Sequence, residues 1–166
     1  MSYFEIGIFN PRNSADVGTL WRSAYQLGAA GIFIIGRPYR RQTSDTANAQ
    51  ALIPLRQFAA FEDFLASRPV GAQLVGIEMG GVPLSGFKHP ERAIYMLGAE
   101  DSGLPQRILA ASNFVAAIES LRSQSYNLAV SGSIVLVHRQ FCGNSHWGIA
   151  VDRAACSRYH SDKYFF

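Results

Sequence analysis

A chain of 166 residues that is 48% hydrophobic can bury one sizeable core and is read as a single domain over residues 1–166. A charged fraction of 16% is low for a fully solvated small monomer and hints at a covered face, an oligomer being one explanation. The net charge of +3 suits a polyanionic partner, and equally a mildly basic enzyme without one. Cys142 and Cys156 form no CxxC pair and no Cys/His ligand spacing, which argues against structural zinc. The start MSYFEIGIFN lacks a basic segment followed by an apolar one, and the apolar runs are too short to cross a bilayer. A soluble, cytoplasmic protein without a membrane partner is expected.

Residues 3–9 alternate and are rich in large apolar side chains, which predicts a strand. A polar loop over 10–16 leads into a predicted helix over 17–27, N-capped by Asp16 and ended by Gly28. The continuous apolar run 31–35 suits a buried parallel strand. A basic, turn-rich loop follows over 37–45, then a short helix over 46–52 and a helical turn over 61–66. Strands are expected over 72–77, 93–97 and 114–118. Residues 127–138 are apolar nearly all round, so they form either a buried helix or a strand, and their length favours the helix. The tail 142–166 is aromatic and mixed in charge, with no clear periodicity. The alternation implies an α/β fold with a mostly parallel sheet flanked by helices, in which ligands sit beyond the carboxyl ends of the strands.

Three segments place polar or glycine residues at such ends. In NPRNSADVGTLWRSAYQLGAAG, Arg22 follows Asp16 in the predicted helix, either as a surface residue or as a group facing a phosphate or hydroxyl. In MLGAEDSGLP a strand runs into Gly98 and an acidic turn before a helix, which is either an ordinary loop capped by Asp101 or Ser102 or a close backbone approach to a ligand. In IESLRSQSYNLAVSGSIVLVH a polar loop enters the apolar helix near Asn127, either capped by Ser125 or holding an adenine through backbone groups. Phosphate loops, nucleophile elbows and metal ligand sets are missing from the sequence, and His138 reads as a helix-end residue.

In this order and spacing the three segments resemble the motifs of the SpoU/TrmH-type methyltransferases of the SPOUT superfamily. The first is Asp16-Val17-Gly18-Thr19-Leu20-Trp21-Arg22-Ser23-Ala24 with Gly28. The second is Leu97-Gly98-Ala99-Glu100-Asp101-Ser102-Gly103-Leu104, and the third is Ile118 followed by Ser125-Tyr126-Asn127-Leu128-Ala129-Val130. The resemblance implies a sheet whose C-terminal part is threaded into a trefoil knot, which no general rule of chain topology would propose. It implies a homodimer that transfers a methyl group from S-adenosyl-L-methionine, leaving S-adenosyl-L-homocysteine, to a ribose 2′-hydroxyl of RNA without a metal. The donor would lie against Leu97, Gly98, Glu100, Ile118, Ser125, Asn127 and Leu128. Arg22 would be the catalytic arginine, meeting the donor across or near the subunit interface. Transfer RNA is favoured over ribosomal RNA, with no separate RNA-binding domain expected.

Two positions depart from the family pattern: Asp16 stands where asparagine is usual, and Glu119 where proline follows the third strand. Arg22 stays protonated, so it is expected to bind phosphate and stabilise charge developing on oxygen, not to act as a base. Asp16 can take a proton, or can simply pair with Arg22 or cap its helix. Arg37, Arg40 and Arg41 are candidates for contact with the RNA backbone, with a solvated turn as the alternative. The rival functions are a catalytically silent RNA-binding protein of the same fold and a methyltransferase directed at a guanine nitrogen.

Overall fold

The computed structural model describes residues 3–39, 52–122 and 125–142. Its elements in chain order are β1 (Tyr3–Phe9), α1 (Ser14–Gln26), β2 (Gly31–Ile35), β3 (Leu55–Phe58), α2 (Phe61–Ala66) and β4 (Gln73–Pro83). A 3-10 turn (Leu84–Gly86), β5 (Arg92–Leu97), α3 (Gln106–Ala111), β6 (Phe114–Ala117) and α4 (Leu128–Phe141) follow. The strands form one six-stranded sheet in the order β3-β2-β1-β5-β4-β6, and every neighbouring pair is parallel. The α/β architecture read from the alternation is therefore the observed one.

Both faces of the sheet are covered, which explains why β2 and residues 93–97 of β5 are buried without a break. Ile32, Ile34, Tyr95 and Leu97 point into one core with Leu20, Ala24, Val135 and Leu136 of α1 and α4. Phe33, Ile35, Ile94 and Met96 point into a second core with Phe61, Phe64 and Ile108 of α2 and α3. Gly7 of β1 lies under the Phe33 ring, in space that a Cβ would take. That ring stacks on Phe64 at 4.7 Å between centroids.

Several elements differ from expectation for local reasons. Helix α1 begins three residues early because Asn13, not Asp16, is its N-cap: Asn13 Oδ1 accepts from the Ala15 N–H at 2.9 Å. Arg22 is thereby deeper in the helix than its predicted start implied. Helix α3 is capped by neither Asp101 nor Ser102; Pro105 occupies its N-cap without a side-chain bond. Strand β3 is short and polar in sequence, and its place is settled by pairing with β2 and by the Arg56–Glu5 ion pair. Strand β4 continues past residue 77 because it pairs with β6 twice, through Ile77↔Ala116 and again through Val82↔Ala116, with a bulge between. The basic loop is described as far as Tyr39, so Arg40, Arg41 and most of the expected 46–52 helix lie outside the described residues. Beyond Cys142 the tail does too.

Helix α4 is a helix, as its length suggested, and it packs on α1. Gly132 makes the approach possible, since a Cβ there would strike Leu20 and crowd Leu97 and Ile6. Beside it, Ser133 Oγ donates to the Ala129 carbonyl at 2.8 Å and accepts from Ser23 Oγ at 2.9 Å. At the far end of α4, buried Arg139 is satisfied by the Pro90 and Glu91 carbonyls and Tyr95 Oη. Because Tyr95 accepts from Arg139, its own hydroxyl proton points to His89 Nδ1 at 2.6 Å, and His89 Nε2 then donates to His138 Nδ1 at 2.9 Å. Burial, reinforced by Arg139 and His138, drives His89 down to about 3 and keeps it neutral. His138 is thus a structural helix-end residue. Replacing Gly132→Val should force α4 off α1 and destabilise the protein by about 1–3 kcal/mol, read as a lower denaturant midpoint at unchanged m-value.

Candidate active-site cleft at the strand ends

The carboxyl ends of β4, β5 and β6 open onto a cleft of about 660 Å³, within the usual range for a small-molecule site. Leu97, Gly98, Glu100, Ile118, Ser125 and Leu128, all singled out in the sequence, line it together. Its floor is apolar and its rim is polar, a combination suited to a ligand with both an aromatic and a charged part.

The second motif forms one wall. Gly103 donates to the Ala99 carbonyl at 2.9 Å, closing a tight turn whose left-handed corner is Gly103 itself at φ 61°. Gly98 packs so closely beneath this turn that a Cβ would collide with the backbone of Gly103 and Leu104. Sequence reasoning missed Glu78, which the β4 bulge turns toward the cleft. Its carboxylate accepts from the Leu104 N–H at 2.7 Å and supports the glycine turn from below. A broken alternation after Ile77, Glu-Met-Gly-Gly, was the available signal.

The third motif forms the opposite wall. Asn127 is the N-cap of α4, its Oδ1 accepting from the Ala129 and Val130 N–H groups at 3.0 and 3.3 Å. Ser125 is therefore not the cap. The amide of Asn127 is left free to donate to Asp16 Oδ1 at 3.0 Å, joining the first and third motifs. Asn127 itself is not among the residues lining the cleft; it holds the wall in place.

Asp16 lies between Asn127 and Glu100. Partial desolvation raises the Glu100 carboxyl above its ordinary value, and hydrogen bonding to Asp16 raises it further. A carboxyl–carboxyl hydrogen bond needs one proton between the two groups. Arg12, not anticipated from sequence, bridges to Asp101 at 2.5 Å and ties the first loop to the second. Arg12 also shares a smaller cleft of about 260 Å³ with Arg37 and Tyr39, which places Arg37 beside the first motif.

Arg22 is exposed on α1, and it does not line the cleft of its own chain. It lies three residues beyond Thr19, which lines an apolar groove of about 570 Å³ along α4. Val130 and Val137 line that groove and are themselves 46% and 44% exposed. Among the described residues no group of histidine, cysteine and carboxylate side chains could hold a metal ion, and no helix is long and apolar enough to cross a membrane.

The SpoU rRNA Methylase family matches residues 3–137, nearly the whole described region. The chain belongs to this family. Among solved structures, it is similar to an AdoMet-bound rRNA methyltransferase from Sinorhizobium meliloti, at 26% identity and a TM-score of 0.72 over 82% of this chain and 55% of that one. It is similar in fold to the SpoU methyltransferase AviRb from Streptomyces viridochromogenes, at 19% identity and a TM-score of 0.74 over 83% of this chain and 60% of that one. A third, described as giving insight into 2-OH methylation on tRNA, shares the fold at 24% identity and a TM-score of 0.70, covering 83% of this chain and 94% of that one. The chain thus spans little more than half the length of the first two. No curated protein matches it by sequence.

Two outcomes test this geometry. Gly98→Ala should displace the 99–104 turn, abolishing ligand binding in calorimetry and lowering the thermal midpoint by several degrees, as expected for about 1–3 kcal/mol of overpacking. The raised Glu100 carboxyl contributes stability that is complete below its ordinary value and is lost as pH rises through the folded value. Stability should therefore fall as pH climbs out of the ordinary carboxylate range, and Asp16→Asn, which needs no shared proton, should flatten that slope in denaturant unfolding.

Proposed function

We propose that this chain transfers the methyl group of S-adenosyl-L-methionine to a ribose 2′-hydroxyl of RNA, with transfer RNA favoured over ribosomal RNA. The observation that carries the reading is that the second and third motifs wall one cleft, with the first motif joined to the third through the Asn127–Asp16 hydrogen bond, in a member of the SpoU family. The AdoMet-bound relative from Sinorhizobium meliloti supports the donor. The lean toward transfer RNA draws on the structure described in terms of 2-OH methylation on tRNA, which shares the fold.

The residues present fit the donor. Gly98, whose missing Cβ makes room for the 99–104 turn, lines the cleft beside it, and Leu97, Ile118 and Leu128 offer an apolar floor. When bound, the donor supplies an electrophilic methyl carbon attached to a sulfonium. The chain's own task is positioning, which contributes most of what a protein can give such a displacement. In our reading Arg22 binds the phosphate next to the acceptor and stabilises charge developing on its oxygen. Asp16, oriented by the Asn127 amide and hydrogen-bonded to Glu100, is the candidate acceptor for the hydroxyl proton.

Arg22 reaches the chemistry in this scheme only from a second copy of the chain. The apolar groove beside it supports a homodimer that seats along α1 and α4, and an unpartnered face of this kind is unusual in a monomer. We read the return of the chain from edge strand β6 to α4, packed on α1, as the threaded path of the resemblance. Arg37 and Arg12 at the first loop, with Arg40 and Arg41 beyond the described residues, are proposed contacts for RNA phosphates.

The deciding experiment is mass spectrometry of ribose-methylated nucleosides from cells with and without the gene. Loss of one 2′-O-methyl nucleoside from the transfer RNA fraction is expected, and an unchanged profile would overturn the reading. Arg22→Ala should lower turnover at least about a hundredfold while leaving calorimetric donor affinity within about twofold. An equal loss of both would contradict its assigned role.

A further inference from the structure

We propose that Glu119 is a positioning residue for donor binding: its carboxylate pins the loop after β6 to the corner where β4 enters the 3-10 turn, and so holds a wall of the cleft. The inference rests on the donor reading above. Glu119 directly follows Ile118, which lines both the cleft and the apolar groove. Both carboxylate oxygens are used: Oε2 accepts from the Leu84 N–H at 3.1 Å and Oε1 from the Ser85 N–H at 3.0 Å. These are consecutive backbone donors at the start of a turn, so the fork of the carboxylate matches them as a pair. The anchor is firm because Leu84 is buried in the main core.

The carbonyl of Glu119 is engaged as well, accepting from Tyr126 Oη at 3.3 Å. One residue thus ties the loop at its beginning, through the side chain, and near its end, through the main chain. Ile118 and Tyr126, the cleft-lining residues on either side, are held by these two ties. Hydrogen bonding to Ser85 is the main cause that brings the carboxyl down to about 2, so it is ionised at neutral pH. The position is exposed, where a glutamate without such partners would be solvated and would restrain nothing. Family members have proline at this point by the resemblance, and proline restrains its own backbone through a fixed φ. Here a side-chain tether supplies the restraint instead.

The test is calorimetric titration of the full chain with S-adenosyl-L-methionine, run beside thermal unfolding. Glu119→Ala should raise the donor Kd about tenfold in protein that is still folded, the loss expected for charge-assisted bonds that orient a binding wall. Glu119→Gln, which keeps one accepting oxygen and turns an N–H donor on the other amide, should fall between the two. A folded Glu119→Ala protein with the wild-type Kd overturns the proposal, and so does a change confined to the unfolding midpoint. Should Glu119→Ala fail to fold, the Gln variant decides: wild-type affinity overturns the proposal, and weakened affinity supports it. Wild-type protein that binds no donor would sink the donor reading itself, whereas normal wild-type binding with an unaffected Ala variant sinks the tether alone.

Discussion

The seat of α4 on α1 is the contact on which the rest of the molecule depends. Its two helices are more than a hundred residues apart in sequence, and nothing local holds them together. Gly132 lets the backbones approach, Leu20 fills the resulting space, and the Ser23 and Ser133 hydroxyls hydrogen-bond across the pair. Once α4 is seated, its N-terminus falls beside the first turn of α1, and the Asn127 amide reaches Asp16. The cleft acquires a second wall only because of this packing. The same placement leaves an apolar groove along α4, lined by Thr19 of α1 and by Val130, Ile134 and Val137.

The cleft itself follows from the parallel sheet. Parallel strands end together, so the loops that leave β4, β5 and β6 are gathered at one edge. Those loops are braced from beneath by acceptors aimed at main-chain donors: Glu78 at Leu104, Glu119 at Leu84 and Ser85, Asn127 at the first turn of α4. Loop backbone that is bonded in this way is pre-set before any ligand arrives, which lowers the ordering cost of binding. The carboxyl pair at the rim is different in kind. Partial desolvation and hydrogen bonding to Asp16 hold the Glu100 carboxyl above its ordinary value, so it keeps its proton to higher pH than a solvated carboxyl does.

Much of this was legible in the one-dimensional pattern. The strand at 3–9 was legible because large apolar residues alternate along it, those at 31–35 and 93–97 because apolar residues run without interruption, and the parallel sheet followed from the succession of strands and helices. Short elements were not. Leu55-Arg56-Gln57-Phe58 has no periodicity to read, and it is a strand because β2 offers it an edge and Glu5 a partner for Arg56. The start of α1 was misjudged because Asn13 and Asp16 are both good caps, and only the backbone turn at Asn13 distinguishes them. Glu78 escaped notice because a bulge, invisible until β4 pairs with β6, aims it at the cleft.

By itself, then, the order of residues determined the fold class, the three motif segments and the chemistry their side chains can offer, since these depend on local periodicity and residue type. Tertiary structure alone decided which of those side chains meet. It brought Asp16 to Asn127 and Glu100, gave Arg12 rather than Arg22 the bond to the second loop, and set Arg22 on a face outside its own chain's cleft. The physical reason is that side-chain partnership depends on distances across the packed sheet and helices, and those distances carry no signature in sequence spacing.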